Sequence, residues 1–403
     1  MKKTLVVILS LVLLASLIFT GCATSTEPEE KQEVKVEEKA EEPVVEEIEV
    51  IEGEVELDIV PLIPDGENIL PIMATGPNGE GVATVEDVLG LLNSEDIKSI
   101  QEGGYTAAIC MANFGDDWSQ GQIKGITETL AKFNIEVVAT TDASWKVEQQ
   151  ISDIESAIQL KPDLLFSHPT DGVAVGPTYK KAADAGVKVV FIDSAGADLE
   201  FGKDYAGVVQ ADNYVIAQAS VEILADAIGG EGEVALINYK NSVAHMDMRA
   251  RAADETFAKY PGITVVDEQL VGSNEEGATV AEAIMIANPN VKAIWVGWDG
   301  PAMTAASALD SLGKEVYIGS PDLGRDAAYS IASDGLFIGS GAQHPWDQGV
   351  AAAVIGCASL AGKETPQYVI VPGEKVTKAN LAEAWDRIYH SEMPEQISEA
   401  LNK

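Results

Sequence analysis

Acidic and aromatic side chains stand together at four places in the chain. Asp116, Asp117 and Trp118 are consecutive, Asp193 lies in the segment FIDS, Trp298 and Asp299 lie near the end of AIWVGWDG, and Asp322 follows YIGSP. Arg249 and Gln343 add a guanidinium and an amide between and after them. Carboxylates, amides and guanidinium groups hold hydroxyls through charge-assisted hydrogen bonds, and indole faces cover apolar C–H surface. Paired carboxylates are also the equipment of glycoside hydrolysis. Nothing in the sequence sets one of these carboxylates apart as a proton donor, and the chain carries no GxGxxG, Walker A, HExxH or GxSxG pattern. Its four histidines, His168, His245, His344 and His390, lack metal-ligand spacing. No cofactor is expected, and binding is favoured over catalysis.

Strand-like segments must position these groups. They run over 106–112, 135–140, 163–168, 187–193, 206–210, 232–239, 263–268, 291–297, 315–320 and 336–341. Most are continuous apolar runs, the pattern of parallel strands buried on both faces. Helical segments separate them at 119–133, 147–160, 174–185, 214–228, 245–260, 276–287, 301–312, 324–334 and 346–361. Strand–helix alternation with short loops predicts an α/β fold of two doubly wound parallel-sheet lobes joined by a multi-strand hinge. Ligands bind such folds where strand C-termini face a cleft. The expected boundaries are 104–213 plus 344–366 for lobe 1, and 214–343 plus 367–403 for lobe 2. An N-terminal extension with short helices spans 61–103, where Thr84 to Asp87 reads as a capping box.

The chain has 403 residues and a net charge of −39, which opposes binding to nucleic acid or anionic lipid. Three cysteines rule out a disulfide scaffold, and Cys110 and Cys357 read as buried thiols. Residues 1–22 carry Lys2 and Lys3, then an apolar run from Leu5 to Phe19, then small residues before Cys22. That is a signal peptide, with a single transmembrane anchor as the alternative. Thr20-Gly21-Cys22 resembles the bacterial lipobox, although Phe19 stands where leucine is usual; the resemblance implies lipidation at Cys22 and anchoring to the cell envelope, facing the periplasm or exterior. Residues 23–60 form an acidic tether: 26–59 hold 15 Asp/Glu against three Lys, and self-repulsion extends such a segment.

Seven segments recur in order over about residues 104–365. They are ANFGDDW (112–118), KPDLLFSHPTDG (161–172), AGVKVVFIDS (185–194), VVQADN (208–213), AIWVGWDGPAM (293–303), YIGSPD (317–322) and GSGAQHPWDQG (339–349). Together they resemble the type I periplasmic binding proteins of sugar importers, the ribose- and galactose-binding group. The resemblance implies an exported receptor, a monomer, that captures a monosaccharide or related polyol and delivers it to an ABC importer permease. A sensory receptor, or a receptor for a nucleoside or autoinducer, is the alternative. A sugar-repressor-type regulator conflicts with the export signal and with the lack of a helix-turn-helix before residue 104.

The resemblance also assigns ligand-binding roles. Trp118 would stack on the ring, or pack as a core residue at a helix start. Asp116 and Asp117 would bind a hydroxyl or cap that helix. Asp193 would bind a hydroxyl, while Ser194 replaces the arginine of the ribose receptor and weakens that particular ligand. Arg249 would fork onto ring oxygens. Trp298 replaces an amide usual in the family and would offer a second stacking surface opposite Trp118; Trp295 reads as core. Asp322 and Gln343 match a carboxylate and a hinge-proximal glutamine. Asp171 is a turn or cap residue with a weaker claim to contact, His168 is expected to be structural, and Trp346 is either a cleft wall or a helix cover.

Overall fold

The apolar runs become the inner strands of two six-stranded sheets in the computed structural model, which describes residues 63, 66–76, 79–241 and 243–403. The expected signal peptide, Cys22 and the acidic tether lie outside the described residues. Strands β1 (Thr106–Met111), β2 (Glu136–Asp142), β3 (Leu164–His168), β4 (Lys188–Ile192), β5 (Gly207–Ala211) and β11 (Tyr368–Val371) form the first sheet. Strands β6 (Glu231–Tyr239), β7 (Gly262–Val271), β8 (Val291–Val296), β9 (Tyr317–Pro321), β10 (Phe337–Ala342) and β12 (Glu374–Thr377) form the second. The orders are β11-β5-β4-β3-β1-β2 and β12-β10-β9-β8-β6-β7. Every pairing is parallel except that of β12 with β10.

Helices α1 (Val85–Leu89), α2 (Ser94–Glu102), α3 (Asp117–Lys132), α4 (Val147–Gln159) and α5 (Gly172–Asp184) belong to the first lobe. Helices α6 (Asn213–Ala227), α7 (Ala244–Phe257), α8 (Glu276–Ala287), α9 (Asp299–Ser311) and α10 (Arg325–Ala332) belong to the second. Helix α11 (Pro345–Leu360) returns to the first lobe, and α12 (Leu381–Tyr389) and α13 (Glu395–Leu401) cover the second. Successive strand residues point to opposite faces. Ala107, Ile109 and Met111 of β1 therefore join one core with α3 and α11, while Ala108 and Cys110 join another with α4 and α5. The second sheet divides the same way: Ile294 and Val296 face α8 and α9, and Ala293 and Trp295 face α6 and α7. Trp295 is fully buried with its indole N–H on Ser220 Oγ (2.8 Å), as its place inside a strand implied. Cys110 and Cys357 are buried and free, and burial pushes the Cys110 thiol up to about 11.

Three segments cross between the lobes: 211–213, 342–345 and 371–374. The third corrects the expected boundary. The chain does not pass to the second lobe at 367, because Tyr368–Val371 first adds a parallel strand beside β5 and only β12 lies in the second sheet. The N-terminal extension runs along these crossings. Leu70 N–H donates to Gly373 O (2.8 Å) and Lys375 N–H to Asn68 O (2.9 Å) on the second-lobe side, while Ala83 N–H donates to Tyr368 O (2.9 Å) on the first. Asp212 fixes the extension to the hinge: Oδ2 accepts from Met73 N (2.5 Å) and Ala74 N (2.7 Å), and Oδ1 caps α6. Thr84 and Asp87 form the anticipated capping box at α1. Among the described residues, no helix is long and apolar enough to cross a membrane.

Candidate ligand-binding cleft

The C-terminal ends of both sheets supply one set of polar and aromatic groups. A strand end leaves its last side chains free of the ladder, and the helix that follows points its N-terminal N–H groups the same way. In the first lobe β1 leads into Asn113–Asp116 and α3, β3 ends at His168, and β4 is followed by Asp193. In the second, β6 ends at Tyr239, β8 is followed by Trp298 and Asp299, and β9 by Asp322.

A chain of hydrogen bonds joins the first lobe, the crossing and the second lobe. Trp118 Nε1 donates to Gln343 Oε1 (3.0 Å). Gln343 Nε2 donates to Asp322 Oδ1 (2.6 Å). Asp322 then receives both arms of Arg249, Nη1 on Oδ2 (2.8 Å) and Nη2 on Oδ1 (3.2 Å). Arg249, only 3% exposed, also donates from Nε to Asn213 Oδ1 (2.8 Å) and from Nη1 to the Gly297 carbonyl (3.1 Å). Gln348 Nε2 donates to Gln343 Oε1 (3.0 Å), and Gln122 Nε2 donates to Gln348 Oε1 behind it. Every polar atom of the Gln343 side chain is thus directed, which fixes its rotamer.

Asp193 differs. Its φ of +64° places it in the left-handed region, tolerated by aspartate better than by most residues. It is 8% exposed, Oδ1 has no hydrogen-bond partner, and Oδ2 lies 3.9 Å from His245 Nε2 of the second lobe. The carboxylate therefore faces the gap between the lobes. His168 is beside it, flanked edge-on by Trp118 (5.3 Å between ring centres) and Trp145 (5.6 Å). Burial lowers the affinity of His168 and His245 for a proton, against the pull of Asp193.

Trp298 is held by its N–H on Asn274 Oδ1 (2.9 Å) and meets Tyr239 edge-on (5.5 Å). Asp299, the first residue of α9, accepts from Gly324 N at Oδ2 (2.7 Å). Burial, then Asp322, and also Asp116 and Asp117 from the opposite lobe, push its carboxyl up to about 7.

Asp116, Asp171 and Trp346 take the capping and packing alternatives that the sequence left open, while Asp117 and Arg249 are paired within the protein. Both oxygens of Asp117 are taken by Arg325 of the second lobe, Oδ1 by Nε and Oδ2 by the backbone N–H (both 2.7 Å). Asp117 thus joins the two lobes through this pair. Asp116 caps α3 through Ser119 N (2.7 Å) and accepts from Asn113 Nδ2 (2.7 Å). Asp171 caps α5 through Val173 N (2.9 Å) and Ala174 N (2.8 Å). The fork of Arg249 is directed onto Asp322. Trp346 packs in the first-lobe core, donates to Glu128 Oε2 (2.7 Å) and stacks on His390 of the second lobe (3.7 Å); none of these contacts is with the cleft cluster. Lys124 donates to the His390 carbonyl (2.9 Å) nearby.

Sequence reading missed Trp145, Tyr239, His245 and Asn274, and read His168 as purely structural. One signal was available: His245 stands four residues before Arg249 on α7, hence on the same helical face. Trp145 follows the end of β2, as Trp118 follows β1.

The profile of a family described as a periplasmic binding protein domain matches residues 107–364. The chain is 26% identical over 269 residues to the ribose import binding protein of Bacillus subtilis, covering 66% of this chain and 86% of that one. It is 28% identical over 247 residues to the D-allose-binding periplasmic protein of Escherichia coli, covering 56% and 79%. A solute-binding protein of an ABC transporter from Actinobacillus succinogenes, solved with bound D-allose, superimposes with a TM-score of 0.62 at 26% identity, over 69% of this chain and 99% of that one. These relatives are binding proteins, not enzymes.

Proposed function

The chain belongs to the periplasmic binding protein domain family, and from that premise we propose that it is an extracytoplasmic lipoprotein, anchored through Cys22, that captures a monosaccharide or related polyol between its lobes and delivers it to an ABC importer permease. The observation that carries this reading is the hydrogen-bonded chain Trp118–Gln343–Asp322–Arg249, which spans both lobes and their crossing, together with the unpartnered buried oxygen of Asp193. Asp193 accepts from a ligand hydroxyl, Asp322 and Gln343 present fixed polar atoms to others, and Trp118 and Trp298 cover its C–H surface.

Three crossing segments form the axis about which the lobes part, and a ligand that touches both lobes favours the closed arrangement by its extra contacts. The Asp117–Arg325 pair forms when the rim closes. The importer then meets a monomer whose closed lobes report an occupied cleft.

Thermal unfolding of the full chain against monosaccharides, polyols and nucleosides tests the proposal. A ligand at about 100 times its Kd adds about 2.7 kcal/mol to the folded state. A specific rise with a sugar or polyol, abolished in Trp118→Ala and Asp193→Asn, is expected. A panel in which only nucleosides, or nothing, shifts the midpoint overturns the sugar reading.

A further inference from the structure

We propose that the ligand carries a positive charge: a polyol bearing an ammonium group, such as an amino sugar or aminocyclitol. This rests on the polyol reading above and narrows its substrate class.

The argument is one of charge and geometry. Closure brings Asp116, Asp117 and Asp193 of the first lobe towards Asp299 and Asp322 of the second. Two guanidinium groups face them, and each is already committed. Arg249 forks onto Asp322 and uses its remaining directed N–H groups on Asn213 and Gly297. Arg325 is bound to Asp117 at the rim. Among the described residues, Asp116, Asp193 and Asp299 have no lysine or arginine partner. The two imidazoles nearby, His168 and His245, are held towards the neutral form by burial. The net charge of these groups is negative.

Asp193 supplies an independent observation. It is more than nine-tenths buried, yet Oδ1 has no donor, and its other oxygen faces His245 across the lobe gap. A buried carboxylate without a partner is costly, so this position calls for a donor from outside the chain. A hydroxyl donates one hydrogen bond and leaves the charge. An ammonium donates three and cancels it.

Asp299 adds a crowded carboxylate from the other lobe, its Oδ2 bonded to Gly324 N. Its carboxylate and that of Asp117 converge on Gly324, whose position lies within 2.9 Å of one and 3.4 Å of the other when extended by a Cβ. After burial, the carboxylates of Asp322, Asp116 and Asp117 make its ionised form unfavourable. A cation among these carboxylates relieves this crowding at the moment of closure, so cation binding and closure reinforce each other. Tryptophan rings, here Trp118 and Trp298, are the side chains best suited to sit beside a cation.

The experiment is calorimetric titration of the full chain at about pH 7 with matched sets: D-glucose, D-glucosamine and N-acetyl-D-glucosamine; the corresponding galactose and mannose sets; and myo-inositol with its monoamino derivatives. In at least one set the amine is expected to bind on the order of tenfold tighter than both neutral members. That ratio is expected to shrink in Asp299→Asn, whose fold is checked by its own unfolding curve. Neutral members binding as tightly as the amine in every set that binds overturns the charged-ligand proposal and leaves the polyol reading intact. No binding in any set overturns both.

Discussion

The third strand of each sheet ends in the same way, with opposite consequences. β4 and β9 occupy matching places in their sheet orders, and each is followed by an aspartate in the left-handed region, Asp193 at φ +64° and Asp322 at φ +72°. Asp322 is saturated: Arg249 grips both oxygens and Gln343 donates to one of them. Asp193 keeps a buried oxygen with no donor. The lobes thus repeat a backbone device and divide the labour. In the second lobe the carboxylate is wired into a hydrogen-bonded scaffold; in the first one oxygen remains without a donor.

That division is most sharply tested by removing each carboxylate in turn. Asp322→Ala leaves a guanidinium 3% exposed without its partner, and should destabilise the protein by about 3–5 kcal/mol in denaturant unfolding. A loss below about 1 kcal/mol would show that Arg249 finds another partner and that Asp322 is not structural. Asp193→Asn should keep or raise stability, because it removes an unpaired buried charge and asparagine tolerates the left-handed conformation. Its affinity for a sugar or polyol should fall about tenfold to a hundredfold, the loss of a charge-assisted bond. Unchanged affinity would erase the contrast between the two residues.

The hinge provides a comparison with the cleft in the same currency of buried charge. His344, in the second crossing, is fully buried 3.5 Å from Asp347 and 3.5 Å from Glu374. Burial alone would lower its proton affinity, but the two carboxylates outweigh it and raise the group to about 9 from 6.5. The folded state therefore holds this proton more tightly than the unfolded chain. The resulting stability is complete below about pH 6.5 and is lost as pH rises through about 9. His344→Gln should flatten the decline of unfolding free energy across that window. An equally steep decline in the variant would assign it to other groups.

The smallest effect is expected at the rim. Arg325 is 57% exposed on its side chain, so Arg325→Ala should cost less than about 1 kcal/mol of stability. It should speed ligand release by a few-fold, and added salt should reduce the difference between wild type and variant. A salt-independent or absent effect on release would show that the Asp117–Arg325 pair does not help hold the lobes closed.

Much of the architecture was legible in the chain. Continuous apolar runs such as LLFSH and KVVFI mark strands covered on both faces, and all ten anticipated strands exist. β11 and β12 escaped notice because each has only four residues, and only pairing with β5 and β10 makes them strands. At the site, the reading found residue types and strand ends but not partners. Asp117 looked like a ligand group because Arg325 is 208 residues away. The pairing of Arg249 with Asp322 was not legible because the two are 73 residues apart, and Trp346 was ambiguous because His390 belongs to the other lobe.

By itself, the sequence determined the class of fold, the order of elements, and which side chains stand at the strand ends, because these follow from local apolar periodicity and short loops. Only the tertiary structure decided which carboxylates are neutralised within the protein and which keep an oxygen without a donor. Ion pairing and desolvation depend on distances between groups hundreds of residues apart, and the packing of two lobes about their crossings sets those distances.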